Sequence, residues 1–253
     1  LALYYIAPKK IKNVVLILLS LVFYAWGTPE YIILMLFSIV FNYCAGLYMG
    51  SLREDGREGM VRTVMILTVV INLLLLGFFK YWGFVVENLN RIPFINISYN
   101  QLPLPIGISF YTFQLMSYVI DVYRNETPPQ RSYGKLLLYA ALFHQCIAGP
   151  IVRYVDVAKE IDRRTVSLDE TFSGMLRFTV GLGKKAVLAN TCATVADTLL
   201  NAEKLAAGQV SSLGVLLGVT AYMLQIYLDF SAYSDMAIGM GRMIGFHFKE
   251  NFN

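Results

Sequence analysis

The sequence predicts an all-α, polytopic membrane protein, and three observations lead there. Apolar side chains make up 57% of the 253 residues and charged ones only 15%, where a soluble domain carries about 25% charged residues. Several apolar runs approach or exceed the roughly 20 residues that a helix needs to cross a bilayer. Lys and Arg gather in the short polar breaks between those runs rather than along one face, which marks topology and argues against nucleic acid as a partner.

The first run, residues 13–26, follows Lys9, Lys10 and Lys12 and closes on Tyr24 and Trp26. That is a basic anchor at one interface and an aromatic anchor at the other. Pro29 suits a first helical turn, and residues 31–49 form a second run, interrupted only by Ser38, Asn42 and Gly46. The connection 27–30 is short, so the two helices are expected to be antiparallel neighbours. A polar loop, 51–62, holds Arg53, Arg57 and Arg62, and a third run, 63–82, ends on Lys80, Tyr81 and Trp82. After the Asn-rich stretch 83–101, Pro103 and Pro105 open the run 106–123, which Ser109, Thr112, Gln114, Ser117 and Asp121 interrupt.

If Lys9–Lys12 are cytoplasmic, alternation places 51–62 inside, 83–101 outside, and Arg124, Arg131 and Lys135 inside. Residues 136–152 break the alternation. They are apolar, yet the loop behind them, with Arg153, Lys159, Arg163 and Arg164, is the most basic in the chain. A re-entrant segment that enters and leaves on one side resolves this, and the Gly149-Pro150 break permits it. Irregular backbone at membrane depth requires surrounding protein or a cavity. Residues 172–200 are expected to span outward, 201–208 to turn, 210–228 to span back, and 229–253 to lie at or partly within the cytoplasmic side. No repeat or linker divides the chain, so residues 1–253 read as one transmembrane domain. The chain opens on Leu1 and stops at Asn253, which reads as a fragment.

Ionisable groups within apolar sequence are the informative ones, since each costs roughly 2.5 to 3.5 kcal/mol at a helix centre on insertion scales. For Asp121 the plainer reading is a helix end paired with Arg124 three residues on. Gln114, Ser117, Tyr118 and Asp121 make one polar stripe, for which helix packing competes with a cavity wall. His144 and Gln145 precede Cys146, and a lone histidine is more often a hydrogen-bonded structural group than a catalyst. No metal site is expected, because His247 is remote and Cys44, Cys146 and Cys192 are scattered. The densest polar run holds Gln225, Asp229, Ser231, Tyr233, Ser234 and Asp235, with Gly239, Gly241 and Gly245 behind it. It directly ends an apolar run and reads equally as a cavity wall or as helix caps beside close-packing glycines. Ser234 and Asp235 are adjacent and do not face each other on a helix, so a hydrolase triad is rejected.

Four stretches then carry a resemblance: residues 19–27 (LSLVFYAWG), 104–124 (LPIGISFYTFQ continuing to YVIDVYR), 148–154 (AGPIVRY), and 225–245 with the closing Asn251-Phe252-Asn253. In order along the chain they resemble the membrane-bound O-acyltransferase superfamily, in its bacterial branch of alginate O-acetyltransferases and D-alanyl and peptidoglycan acyl-transfer proteins. Ala232 stands where many members carry glycine, a small-for-small change.

The resemblance implies a multi-helix bundle with re-entrant helices around a central tunnel in a bacterial inner membrane. It implies an acyl thioester donor such as acetyl-CoA as co-substrate with no bound cofactor, an exported polysaccharide as acceptor, and an extracytoplasmic acyltransferase partner protein. The family's catalytic histidine is expected beyond Asn253, in a Trp- and Arg-rich segment, so neither His144 nor His247 inherits that role. Gln114, Tyr118, His144, Gln145, Asp229, Tyr233, Ser234 and Asp235 are the candidates to line the tunnel or its mouth, without an assigned chemical step. A transporter or channel, and a non-catalytic scaffold for a soluble acyltransferase, are the competing readings.

Overall fold

The protein is described by a computed structural model covering residues 1–27, 29–98, 103–145, 149 and 152–252. Cys146, Asn253 and residues 148, 150 and 151 of the stretch 148–154 lie outside the described residues, as do parts of the loops 27–30 and 83–101. The chain gathers into two compact units, Leu1–Ile147 with Ile151–Arg163, and Ala148–Pro150 with Arg164–Asn253.

The first unit contains a short helix α1 (Ala2–Ile6), then α2 (Lys12–Gly27), α3 (Ile32–Glu54), α4 (Glu58–Leu89), α5 (Ile108–Tyr123), α6 (Tyr133–Ala141) and α7 (Tyr154–Asp162). With their short leading turns, α2 and α3 are long and apolar enough to cross a membrane, and so is α4. Their side chains stay largely uncovered, as Leu18, Val22, Ile33, Phe37 and Leu74 are exposed. Lipid rather than water is the solvent that such faces require.

At the centre sits α5. Its 16 residues span only about 24 Å at 1.5 Å per residue, and ten of them are buried, Tyr111, Leu115, Tyr118 and Val119 completely. The helices α3, α4, α6 and α7 all pack on it.

The basic segments converge on one end of this unit. The Arg53 guanidinium donates to the carbonyls of Val122 and Tyr123 at 2.9 and 2.7 Å, capping the C-terminus of α5 with a cation. Arg131 approaches Glu54 at 3.8 Å, and Arg153 pairs with Glu126. Lys135, at the start of α6, meets Asp162, at the end of α7, at 2.7 Å, and Asn13 donates to the Ile161 carbonyl at 3.0 Å. The four segments assigned to one side from their charges therefore lie together. The chain leaves this end through α6, nine residues long and about 14 Å, and is back at it by Arg153. The nine helical residues fall far short of a hydrocarbon core about 30 Å thick, and residues 146–148, 150 and 151 of the expected re-entrant segment lie outside the described residues.

One buried polar contact pins α3 to α4. Asn42 and Asn72 donate to each other's side-chain oxygens at 3.0 Å, and each Nδ2 also donates to the carbonyl four residues back, of Ser38 and Thr68, at 2.8 Å. All four amide hydrogens are thus used. Asn42→Leu strands the Asn72 amide and is expected to cost about 1 kcal/mol, whereas the double change to leucine is expected to recover most of it. Thermal unfolding of the full protein in detergent checks both, and equal loss in single and double variants contradicts the pin.

The second unit runs through α8 (Leu168–Gly183), a π-helical segment (Lys184–Ala189), α9 (Asn190–Leu199), a short α10 (Ala202–Ala206) and α11 (Ser212–Ile244). Ser167 and Glu170 form a reciprocal capping box that starts α8. The stretch 172–200 is helical as expected, though broken by the π segment. A correction concerns the next part. The polar run from Asp229 neither ends the helix nor caps another, because α11 continues to Ile244 over 33 residues, about 50 Å.

The chain does double back, but only after Gly245. That residue has φ 85°, the left-handed conformation that glycine adopts without strain, and the Phe246 amide closes onto the Gly241 carbonyl at 2.9 Å. Glu250 then returns alongside Arg177, the partner of Asp235.

Candidate functional site

In the first unit, polar side chains form a buried column between α5, α6 and α7. The Tyr139 hydroxyl donates to the Val152 carbonyl at 2.7 Å and lies 3.5 Å from the Ser117 hydroxyl and 3.4 Å from the Gln114 carbonyl. Gln145 donates to the Tyr139 carbonyl at 2.6 Å. The Tyr118 hydroxyl accepts from the Gln130 amide at 2.9 Å, and the Gln130 side chain donates to the Tyr154 hydroxyl. Edge-to-face contacts of 5.2 and 5.3 Å join the Tyr154 ring to those of Tyr118 and Tyr139.

Asp121 terminates this column. Its carboxylate is almost completely buried and pairs with Arg153, 32 residues away, not with Arg124; Arg124 lies 3.8 Å from Glu126 instead. The expected i to i+3 pair is thus replaced by a long-range one, because Arg153 reaches the buried carboxylate. Hydrogen bonds to Asp121 and Glu126 hold the Arg153 guanidinium still more firmly protonated than usual. Burial raises the Tyr154 hydroxyl above its ordinary range.

Gln114, Tyr118, His144 and Gln145 are all buried, and Tyr139 links Gln114 to Gln145. Phe143, stacked edge-on to His144, donates its backbone N–H to the Ser20 hydroxyl oxygen at 3.2 Å. The side-chain oxygens of Gln114 and Gln145, the Thr112 hydroxyl and one Asp121 oxygen are buried with no hydrogen-bond partner among the described residues. The amide and carboxylate oxygens are acceptors, so what completes them must donate, as water or a hydroxyl group does, while the Thr112 hydroxyl can donate or accept.

In the second unit the polar side chains follow the seam between α8 and α11. Asp235 receives Arg177 at 2.9 Å and Lys184 at 2.5 Å, and Asp229 receives Lys185 at 2.7 Å. Arg177 also pairs with Glu250, whose carboxyl is held below its usual range chiefly by that guanidinium. Arg242 donates to the Ser173 hydroxyl at 3.2 Å. Ser234 is buried and its hydroxyl has no partner among the described residues, while Tyr233 is half-buried. Outside the helices' apolar stretches, the Ser167 amide and His247 lower the Glu170 carboxyl, His247 from 3.3 Å.

Lys184 and Lys185 open the π-helical segment, a backbone irregularity frequent at functional sites. Sequence reasoning missed Arg177, Lys184 and Lys185, and also Gln130, Tyr139 and Tyr154. The signal was present: three cations in one apolar stretch and two carboxylates in another have to answer each other inside a bilayer. Among the described residues no group of acidic, histidine or cysteine side chains is arranged to hold a metal ion.

No family model matches the chain. Over its whole length it is 40% identical to a protein of Pseudomonas aeruginosa named "Probable alginate O-acetylase" and 41% identical to one of the same name from Azotobacter vinelandii, covering 48% and 50% of them. It is 32% identical to the peptidoglycan O-acetyltransferase of Helicobacter pylori, over 94% of the chain and 49% of that protein. A weaker likeness, 24% over 73% of the chain, is to the teichoic acid D-alanyltransferase of Bacillus subtilis. The chain spans about half the length of these relatives.

Proposed function

Because the chain belongs to the membrane-bound O-acyltransferase superfamily, we propose that the whole protein moves acetyl groups from a cytoplasmic thioester toward an exported polysaccharide of the alginate type. The observation that carries this reading is the match along the entire chain to alginate O-acetylases. The basic end of the first unit is cytoplasmic in this reading, and the membrane is the bacterial inner one. Residues 1–253 supply the N-terminal and central part of one transmembrane domain.

The chemistry asks little of the protein beyond positioning. A base removes the proton of the acceptor hydroxyl, the oxygen attacks the thioester carbonyl, the carbon–sulfur bond breaks and the thiolate takes up a proton. Holding donor and acceptor together and excluding water supply most of the acceleration. The base is the family histidine expected downstream of Asn253. Gln114, Tyr118, His144 and Gln145 in the first unit, and Asp229, Tyr233, Ser234 and Asp235 in the second, are proposed as polar lining. The unpartnered oxygens of Gln114 and Gln145 support that role, since they call for a donor such as the acceptor hydroxyl. Acetyl-CoA as donor and an extracytoplasmic acyltransferase as recipient complete the proposal.

The test uses full-length protein in proteoliposomes, with labelled acetyl thioester on one side and acceptor with partner on the other. Acetyl ester is expected on the far side, and only with the downstream histidine intact. Solute flux that needs no thioester points to a transporter instead, and ester formation that survives loss of the histidine points to a scaffold.

A further inference from the structure

Tyr139 stands near the end of α6 and is buried. Its two polar groups reach opposite flanks of the stretch between Gln145 and Val152. The backbone carbonyl accepts the Gln145 side-chain N–H at 2.6 Å, and the hydroxyl donates to the Val152 carbonyl at 2.7 Å. The first contact has its cause in the helix end. α6 stops at Ala141, and Leu142 turns away with ψ 119°, so the Tyr139 carbonyl is among the last four, which a helix leaves without an internal partner. Gln145 supplies the missing donor.

The second contact depends on one proton. A phenol has a single proton to donate, and at 2.7 Å the Val152 carbonyl receives it in preference to the Gln114 carbonyl at 3.4 Å. That Gln114 carbonyl is served by the Ser117 hydroxyl, which donates to it at 2.8 Å. Val152 is buried, so loss of the phenol proton strands its carbonyl. The ring is held separately, edge-to-face on Tyr154 at 5.3 Å. Removing the hydroxyl therefore cuts one tie and leaves the packing in place.

Both ties bear on an unpartnered acceptor. With its nitrogen fixed on Tyr139, the Gln145 amide has its orientation set, and its oxygen is buried without a donor, as is that of Gln114. We propose that Tyr139 is a positioning residue for acyl transfer, which holds both flanks of 145–152 beside α5 and so presents the Gln145 oxygen to the hydroxyl that is to be acylated. Tyr139 itself touches no reacting atom. A misplaced oxygen slows the chemical step and leaves donor affinity alone. The inference rests on the acyl-transfer reading and on Gln114 and Gln145 as polar lining.

The test compares the native full-length protein with Tyr139→Phe in proteoliposomes, with acetyl-CoA as donor and unacetylated alginate plus a periplasmic extract as acceptor. The variant is expected to lose about tenfold in kcat, with KM for acetyl-CoA within about twofold and the shape of the kcat pH profile kept. Hydrogen exchange at residues 143–145 and 152–154 is expected to quicken by about tenfold. 4-Aminophenylalanine at position 139, whose N–H donates to the same carbonyl, is expected to restore both. Asn42→Leu, which loosens α3 from α4 away from the column, is expected to lower the unfolding midpoint without moving kcat. Should Tyr139→Phe spoil the size-exclusion profile, 4-fluorophenylalanine fills the hydroxyl's space without a proton and replaces it.

A kcat as high in Tyr139→Phe as in the native protein, or no restoration by 4-aminophenylalanine, overturns the assignment. So does an equal fall in kcat with Asn42→Leu, which makes the loss one of general stability. A pH profile that loses a limb makes Tyr139 an acid or base in the reaction and contradicts the positioning role. Unaltered exchange in an active protein contradicts the ties and leaves the acyl-transfer reading standing. Native protein that transfers no acetyl contradicts that reading, and the positioning role falls with it.

Discussion

Gly239→Leu is expected to separate α8 from α11 and to destabilise the protein by about 3 kcal/mol, the upper end of the usual overpacking cost. A Cβ at Gly239 would lie 2.6 Å from the Gly174 carbonyl oxygen and 2.8 Å from the Phe178 amide nitrogen. One at Gly174 would lie 2.6 Å from the Gly239 carbonyl oxygen. Both obstacles are backbone, so no rotamer change relieves them and the helices must part. Parting also pulls Arg177 and Lys184 away from Asp235, leaving charges without partners in an apolar setting. The thermal unfolding midpoint in detergent reports the effect. Gly77→Ala is the control, because nothing lies within 4 Å of its Cβ position and alanine favours the helix. A midpoint as high in Gly239→Leu as in that control contradicts the close approach.

Arg153→Leu has the second large expected effect, again about 3 kcal/mol, at the low end of what removing one partner of a buried ion pair costs. The low end applies because the Arg153 side chain is 41% exposed, whereas that of Asp121 is only 2% exposed. The loss comes from the stranded carboxylate, not from the contact itself. Removing the carboxylate too, in Arg153→Leu with Asp121→Leu, is therefore expected to restore part of the stability. Arg153→Lys is expected to fall between, since one ammonium lacks the planar fork that reaches both Asp121 and Glu126. A double variant as unstable as the sum of its parts contradicts this explanation.

Much of the fold was legible from the spacing of apolar runs and the placement of Lys and Arg. The convergence of Lys9–Lys12, 51–62, 124–135 and 153–163 follows from loop charges because a bilayer sorts charge by side, whatever the packing. The return expected of residues 136–152 comes from the same rule, since only a return satisfies both basic flanks. What escaped was long-range pairing. Nothing in the neighbourhood of Asp121 distinguishes Arg124 from Arg153, and only the return of the chain beside α5 decides between them.

The continuation of α11 through Asp229 and Asp235 was missed for a related reason. Local composition there suits caps, and those carboxylates are tolerated inside a helix because Lys185, Lys184 and Arg177 answer them from the opposing helix. Of the candidate site, the residue types were legible. Tyr139 and Gln130, which tie the first unit's candidates together, were not, because each sits in a segment whose pattern is unremarkable by itself.

The account depends on the chain entering and leaving the membrane on one side between Arg124 and Arg163. Single cysteines at Arg124, Arg163 and Asn96, in a full-length protein otherwise free of cysteine, test it with a membrane-impermeant maleimide on spheroplasts before and after opening. The prediction is that positions 124 and 163 react only after opening and position 96 reacts before. Labelling of position 163 in sealed spheroplasts, with position 124 still protected, would mean that the segment crosses completely and would contradict the account.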